Sequence, residues 1–211
     1  MPTFITICAA YLLGSLSFAV ISSRAFNLPD PRTYGSSNPG ATNVLRSGHK
    51  LAAIVTLLGD GLKGWLAVWL AVHFQQQAGL TDTQIAGVMV AVTVGHMWPV
   101  FFRFKGGKGV ATALGILLAI NAVLGLACLA TWLAAVKLSK ISSLGALLAA
   151  LAAPIYAYFL LHSPALWVAT VIISSLLLVR HHRNIRDLIK GQEAHFKSPT
   201  TSNPETKTPT M

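Results

Sequence analysis

Apolar runs at about 3–23, 51–74, 84–102, 110–136, 142–161 and 164–180 leave little of this chain able to face water. Most are near the ~20 residues a helix needs to cross the hydrocarbon of a bilayer. In that medium the backbone must satisfy its own polar groups, which makes such runs helical. Composition agrees: 54% of the 211 residues are hydrophobic and 10% charged, against ~25% charged in soluble domains. The chain reads as an all-α integral membrane protein, one domain over 1–196, with a Ser/Thr/Pro/Lys tail at 197–211 expected to be disordered.

Charge sets an expected orientation. Lys and Arg number 16 against 6 acidic residues, a net charge of +10. The basic residues cluster at Arg24 to Lys50, at Arg103, Lys105 and Lys108, at Lys137 and Lys140, and at Arg180 to Lys190. The connections QQQAGLTD (75–82) and HSP (162–164) hold none. The positive-inside rule places the four clusters in the cytoplasm and the two connections outside. A nucleic-acid partner is not expected, because no soluble basic domain carries the charge. The first positive residue, Arg24, follows the first run, which predicts a retained first helix with its N-terminus outside. Cys8 and Cys128 sit in apolar runs and read as packed thiols.

That orientation makes the run 110–136 begin and end on one side, so it must cross an even number of times. A hairpin of two short helices breaking near Asn121 resolves the parity. With one of the six runs crossing twice, the expected count is seven, with the C-terminus in the cytoplasm.

Two glycine-rich basic stretches interrupt this pattern: GSSNPGATNVLR (35–46) and FRFKGGKGVAT (102–112). In the first, Ser36, Ser37, Asn38, Thr42 and Asn43 supply short hydrogen-bonding side chains, and Gly40 permits close approach of a ligand. In the second, Lys105, Gly106, Gly107, Lys108 and Gly109 open an apolar helix, combining free N–H groups, a helix dipole and an ammonium. With Arg46, these stretches predict a phosphate-binding pocket at one membrane face. The second is not a nucleotide P-loop, which would need glycine at Phe102 and a hydroxyl at Gly109. No metal ligand set and no cofactor are expected.

Three other motifs carry polar residues. GDGLKG (59–64) puts Asp60 and Lys63 on one helix face, either as a structural ion pair or in a direct role. His96 stands near Pro99 at a predicted kink, where a structural histidine is expected. RHHRNIRDLIKGQE (180–193) is basic and amphipathic and suits an anionic membrane surface. Its His182 and Asp187 match an H-x4-D acyltransferase spacing, but residues five apart on a helix diverge by about 140° and do not pair.

Taken together, GSSNPGATNVLR, GDGLKG, GHMWPVFFRFKGGKGVATALG, the KISSLG segment and RHHRNIRDLIKGQE closely resemble the bacterial acyl-phosphate:glycerol-3-phosphate acyltransferases, the PlsY family. The resemblance runs to about residue 196. It implies a seven-helix inner-membrane enzyme that acylates the 1-hydroxyl of sn-glycerol 3-phosphate from acyl phosphate, releasing lysophosphatidate and phosphate. Carried over by motif, the functional residues fall on Ser36, Arg46, Lys108, His181 and Asn184, with the loop Lys105 to Gly109 and Ser143 at the substrate phosphate and Glu193 structural. Ser37 replaces a usual glycine, Ala146 stands where many relatives have serine, and His182-Arg183 replaces a frequent Arg-Glu.

The chemistry fits the residues. Both substrates are anionic phosphates, and cations with glycine N–H groups would hold them together for attack; such orientation is worth up to ~7–11 kcal/mol. Acyl phosphate is already activated, so no covalent enzyme intermediate is expected. The resemblance implies that the substrate phosphate takes the hydroxyl proton; His181 as general base is the rival. Membrane lipids are the expected surroundings and the monomer the expected working unit. A transporter of a phosphorylated metabolite is the competing class, but it would need an internal repeat and polar residues through the midplane.

Overall fold

The computed structural model describes residues 2–193, so the tail at 197–211 and the end of the 1–196 unit lie outside the described residues. The helices are α1 (Pro2–Gly14), α2 (Phe18–Ala25), α3 (Ala41–Leu45), α4 (Lys50–His73), α5 (Gln75–Ala78), α6 (Asp82–Met97), α7 (Val110–Ile120), α8 (Ala122–Ser139), α9 (Ser142–Leu160), α10 (Pro164–Arg180) and α11 (His182–Ile189). Among the described residues, four segments are long and apolar enough to cross a membrane: Lys50–His73, Asp82–Phe102, Ala122–Ser139 and Ser142–Leu160. The number is up to 6 when the bent pairs α1–α2 and α10–α11 each count as one span.

The run 110–136 does break at Asn121. Its backbone is extended, with φ −154° and ψ 112°. Its Oδ1 accepts the Leu124 N–H at 3.0 Å, capping α8. Helix α7 is an 11-residue helix, ~16 Å long at 1.5 Å per residue, and it packs on α8, with the Leu118 side chain lying against Gly125.

Two runs differ from their expected outlines. The run 3–23 is bent by 42° between α1 and α2. The Leu16 carbonyl freed at the break accepts the Lys63 ammonium at 2.6 Å, so a distant charge stabilises an interruption that composition conceals. The run 84–102 stops at Met97 because Pro99 disfavours helix at Trp98, whose φ is −131° and ψ 69°; a 3₁₀ turn, Val100–Phe102, follows.

Pairwise packing closes a circuit: α4 on α7, α7 on α8, α8 on α9, α9 on α10, α10 on α6, and α6 back on α4, with α1 outside on α6. The main core, including Val68, Met89, Val92, Ile116 and Ile173, joins five of these helices at α4, α6, α7 and α10 and at Ala150 of α9. Backbones of α4 and α7 touch: a Cβ on Gly64 would strike the Thr112 carbonyl, and Thr112 Oγ1 donates to the Asp60 carbonyl at 2.9 Å. Small residues permit such contact between helices in lipid, where packing rather than water exclusion drives association.

Candidate active site

The first glycine-rich stretch is fixed from beneath. Ala19, Val44, Ala52 and Ala53 form a small buried cluster joining α2, α3 and the start of α4. Asn43 is buried, and its Nδ2 donates to the carbonyls of Pro31 at 2.7 Å and Tyr34 at 3.2 Å, while its Oδ1 accepts the Ser36 N–H at 3.0 Å. Its amide therefore holds the loop that carries Ser36. Arg32 pairs with Asp30 at 2.6 Å and lies over the Phe102 ring, tying this loop to the second stretch. The guanidinium beside Asp30 holds its carboxyl below the usual range. Ser37 has φ 54°, the left-handed conformation that favours glycine, and its side chain is exposed.

The second stretch is held along both edges. Gly107 N–H donates to the His96 carbonyl at 3.1 Å, and a Cβ on Gly107 would strike His96 Nε2, so only glycine fits. On the other edge Arg180 donates from Nη2 to the Gly106 carbonyl at 2.8 Å, and from Nε and Nη2 to the Gly107 carbonyl at 3.2 and 3.1 Å. Among the described residues, the N–H groups of Lys108 and Gly109 make no hydrogen bond.

Lys108 begins a chain of polar contacts. Its ammonium donates to Asn184 Oδ1, Asn184 Nδ2 donates to Glu193 Oε1 at 2.7 Å, and Ser143 Oγ donates to the same carboxylate oxygen at 2.6 Å. Burial lowers the Lys108 pKa to about 8; Glu193 opposes this, and Arg180, Arg46 and Arg183 reinforce it. His181, in the turn between α10 and α11, gives its Nδ1–H to the Leu177 carbonyl at 2.7 Å. A carbonyl only accepts, so Nε2 is left as the unprotonated acceptor. Burial pushes this imidazole down to about 4; the Leu177 bond opposes the shift and the charges of Lys108 and Arg180 add to it.

Asp60 and Lys63 form a buried ion pair at 2.8 Å, with His96 Nδ1 3.5 Å from the same carboxylate oxygen. His182 instead bonds the Val179 carbonyl at 3.0 Å and Asp187 lies 3.5 Å from Arg186, so the H-x4-D residues engage separate partners.

A cavity of about 960 Å³ unites these groups. Of the expected site residues, Ser36, Asn38, Gly40, Thr42, Asn43, Arg46, Lys108, Gly109, Ser143, His181 and Asn184 line it, as do Asp60, His96 and Glu193. Ser37, Lys105, Gly106, Gly107 and Lys63 do not; Lys105 is exposed, and the two glycines stand behind the lining. Ala146 lines it as well, presenting a methyl group where a serine would offer a hydroxyl. The remaining wall is mostly apolar: Leu58, Leu62 and Trp65 stand on the α4–α7 side and Leu129, Trp132 and Ala153 on the α8–α9 side, while α10 adds Ile173 and Leu177 with the hydroxyls of Thr170 and Ser174. Arg180 is the residue that sequence reasoning missed. A basic residue ending an apolar run reads as a topology marker, and nothing local reveals the carbonyls it meets.

A sequence profile described as glycerol-3-phosphate acyltransferase matches residues 4–191. The chain is 57% identical over 196 residues to the glycerol-3-phosphate acyltransferase of Paraburkholderia phymatum, covering 93% of each chain. It is 56% identical over 196 residues to that of Nitrosomonas europaea, covering 93% of this chain and 98% of the other. It superposes with a TM-score of 0.86, at 33% identity, on a crystal structure of PlsY (YgiH), an integral membrane glycerol 3-phosphate acyltransferase, in its glycerol 3-phosphate form. That match covers 92% of this chain and 94% of the other. The lysophosphatidic acid form gives 0.84 at 32% identity. An all-helical membrane protein whose cationic pocket opens into an apolar cleft, and whose relatives are these over nearly their whole length, belongs to the PlsY family of glycerol-3-phosphate acyltransferases.

Proposed function

We propose that this enzyme transfers a fatty acyl group from acyl phosphate to the 1-hydroxyl of sn-glycerol 3-phosphate, giving 1-acyl-sn-glycerol 3-phosphate and inorganic phosphate. The observation that carries the reading is the continuity of the cavity: its lining includes both Arg46, Lys108, His181 and Asn184 and apolar side chains from α4, α7, α8, α9 and α10. Two phosphates and one acyl chain require that combination.

In the proposed reaction the glycerol oxygen attacks the acyl carbonyl carbon, the carbonyl re-forms, and the carbon–phosphate oxygen bond breaks with its electrons leaving on phosphate. The hydroxyl proton passes to an oxygen of the departing phosphate, whose basicity grows as that bond breaks. His181 Nε2 accepts a hydrogen bond from a substrate hydroxyl; an imidazole held at about 4 is too weak a base to lead the transfer. Lys108 and the Lys108 and Gly109 N–H groups hold the phosphate of glycerol 3-phosphate, and Ser36 and Arg46 help neutralise and orient the two phosphates. The Ser143 hydroxyl donates its hydrogen bond to Glu193, so toward substrate its oxygen acts as an acceptor.

The site faces the cytoplasm of a bacterial inner membrane in a seven-crossing arrangement, with α7 and α8 crossing separately and the N-terminus outside. Residues from three of the basic stretches, Arg46, Lys108 and His181 with Asn184, line one cavity together with Ser142 and Ser143 at the start of α9, just after the fourth, which supports placing those loops at one membrane face. No cofactor is invoked, and the monomer is taken as the working unit. The test is phosphate release by purified protein in detergent from palmitoyl phosphate, with and without glycerol 3-phosphate, beside palmitoyl-CoA as donor. Release that needs glycerol 3-phosphate and yields lysophosphatidate sustains the reading. Acyl transfer from palmitoyl-CoA alone would refute the donor, and no release from a monodisperse sample would refute the reaction.

A further inference from the structure

We propose that Arg180 is a positioning residue for the glycine-rich loop, turning the Gly106 and Gly107 carbonyls away from the cavity so that the Lys108 N–H and ammonium face the acceptor's phosphate. This deepens the proposed function and rests on its assignment of Lys108 and its loop to the glycerol 3-phosphate phosphate.

Arg180 itself is absent from the cavity lining, whereas Lys108 and Gly109 are part of it. The guanidinium therefore stands behind the loop. Its three bonds, at 2.8, 3.1 and 3.2 Å, all go to the carbonyls of Gly106 and Gly107. In a planar trans peptide the N–H points opposite the C=O. Drawing the Gly107 carbonyl toward Arg180 thus sends the Lys108 N–H the other way, and this N–H has no partner among the described residues. The same rule accounts for the preceding peptide: with the Gly106 carbonyl on Arg180, the Gly107 N–H meets the His96 carbonyl at 3.1 Å.

The guanidinium is itself held. It lies over the Trp98 ring, 5.5 Å from the centroid, a cation–π geometry. The Trp98 carbonyl accepts the Tyr11 hydroxyl at 2.9 Å, anchoring that shelf to α1. Among the described residues no carboxylate pairs with Arg180, so its donors are directed to the two carbonyls. With these carbonyls released, their oxygens could rotate toward the cavity and oppose an incoming phosphate. A lysine keeps the charge but has no planar fork to hold two successive carbonyls.

The test compares Arg180→Lys and Arg180→Gln with wild type in the full-length detergent-purified enzyme, measuring kcat and KM separately for glycerol 3-phosphate and palmitoyl phosphate. Both variants are expected to raise KM for glycerol 3-phosphate about tenfold, the scale of one charge-assisted hydrogen bond, while KM for palmitoyl phosphate stays unchanged. Wild-type kinetics in Arg180→Lys with impairment in Arg180→Gln would show that charge alone matters and overturn the proposal. A fall in kcat with both KM values unchanged, or a parallel rise in both, would overturn it as well. If neither variant yields monodisperse protein, Trp98→Leu decides, since it removes the shelf and leaves the fork: a rise confined to KM for glycerol 3-phosphate sustains the proposal, and no change overturns it. Lys108→Met separates the two levels of inference. Wild-type activity there refutes the phosphate-site reading, whereas an inactive Lys108→Met beside a wild-type Arg180→Lys refutes only the role of Arg180.

Discussion

Asn184 donates from its amide nitrogen to Glu193 Oε1 at 2.7 Å and accepts the Lys108 ammonium on its carbonyl oxygen. An ionised carboxylate can only accept, so Glu193 fixes which way the Asn184 amide faces. The Ser143 hydroxyl is oriented by the same oxygen at 2.6 Å. One carboxylate thus sets two site side chains and contributes the negative charge that raises the Lys108 pKa against burial.

Glu193→Ala should lower kcat/KM about 10- to 100-fold, the range for losing hydrogen bonds to a charged group. Glu193→Gln retains an acceptor oxygen and should lose less. It also removes the negative charge, so the pKa of Lys108 should fall below about 8. Equal losses in both variants, with no movement of the alkaline limb of the pH profile, would argue against orientation by this carboxylate.

Lys108 itself should shape that limb. Its pKa is lowered to about 8, so its charge is present below that value and lost as pH rises through it. The proposed phosphate contact needs the charged form, so kcat/KM for glycerol 3-phosphate should decline above about 8, the free-enzyme value. His181, at about 4, stays neutral throughout a profile from weakly acidic to alkaline pH and contributes no limb there. Lys108→Arg, charged throughout, should abolish the alkaline decline in whatever activity remains. Persistence of the same limb in that variant would assign it to another group.

The helix inventory was largely legible because apolar runs and basic interruptions follow from the medium. The break near Asn121 was legible from the parity of the basic clusters alone; its local cause, Oδ1 accepting the Leu124 N–H, emerges from the structure. The break after Gly14 was hidden, since its stabilising partner, Lys63, is 47 residues from Leu16. In the site, residue types announced the phosphate chemistry, but not which side of a loop faces the ligand. Lys105 and Lys108 look alike in sequence; the first is exposed outside the cavity and the second lines it. That difference arises from contacts to His96 and Arg180, made by distant helices.

The ion pair of Asp60 and Lys63 illustrates a charge arrangement that helix spacing did reveal. Both side chains are buried and meet at 2.8 Å, and Lys63 also serves the Leu16 carbonyl. Removing one partner should destabilise strongly, by about 3–5 kcal/mol, because the other is left buried and unpaired. Asp60→Leu and Lys63→Met should therefore each lower the thermal midpoint in detergent, and the double variant should lower it by less than the sum of the two single losses. Additive losses would mean the two charges are supported independently.

The apolar wall between α8 and α9 offers a way to locate the acyl chain. Ala149 lines the cavity beside Trp132 and Ala153 and is only half-buried, so a larger side chain there can enter open space. If the chain runs along this wall, Ala149→Phe should displace its far end. Loss of two buried methylenes costs about 1.6 kcal/mol, or roughly tenfold in kcat/KM. Turnover of palmitoyl phosphate should fall by that order, a shorter acyl phosphate should be spared, and KM for glycerol 3-phosphate should hold. An equal loss for long and short donors would exclude this route. Attention would then pass to the α4–α7 wall, where Leu58, Leu62 and Trp65 form the other apolar boundary of the same cavity.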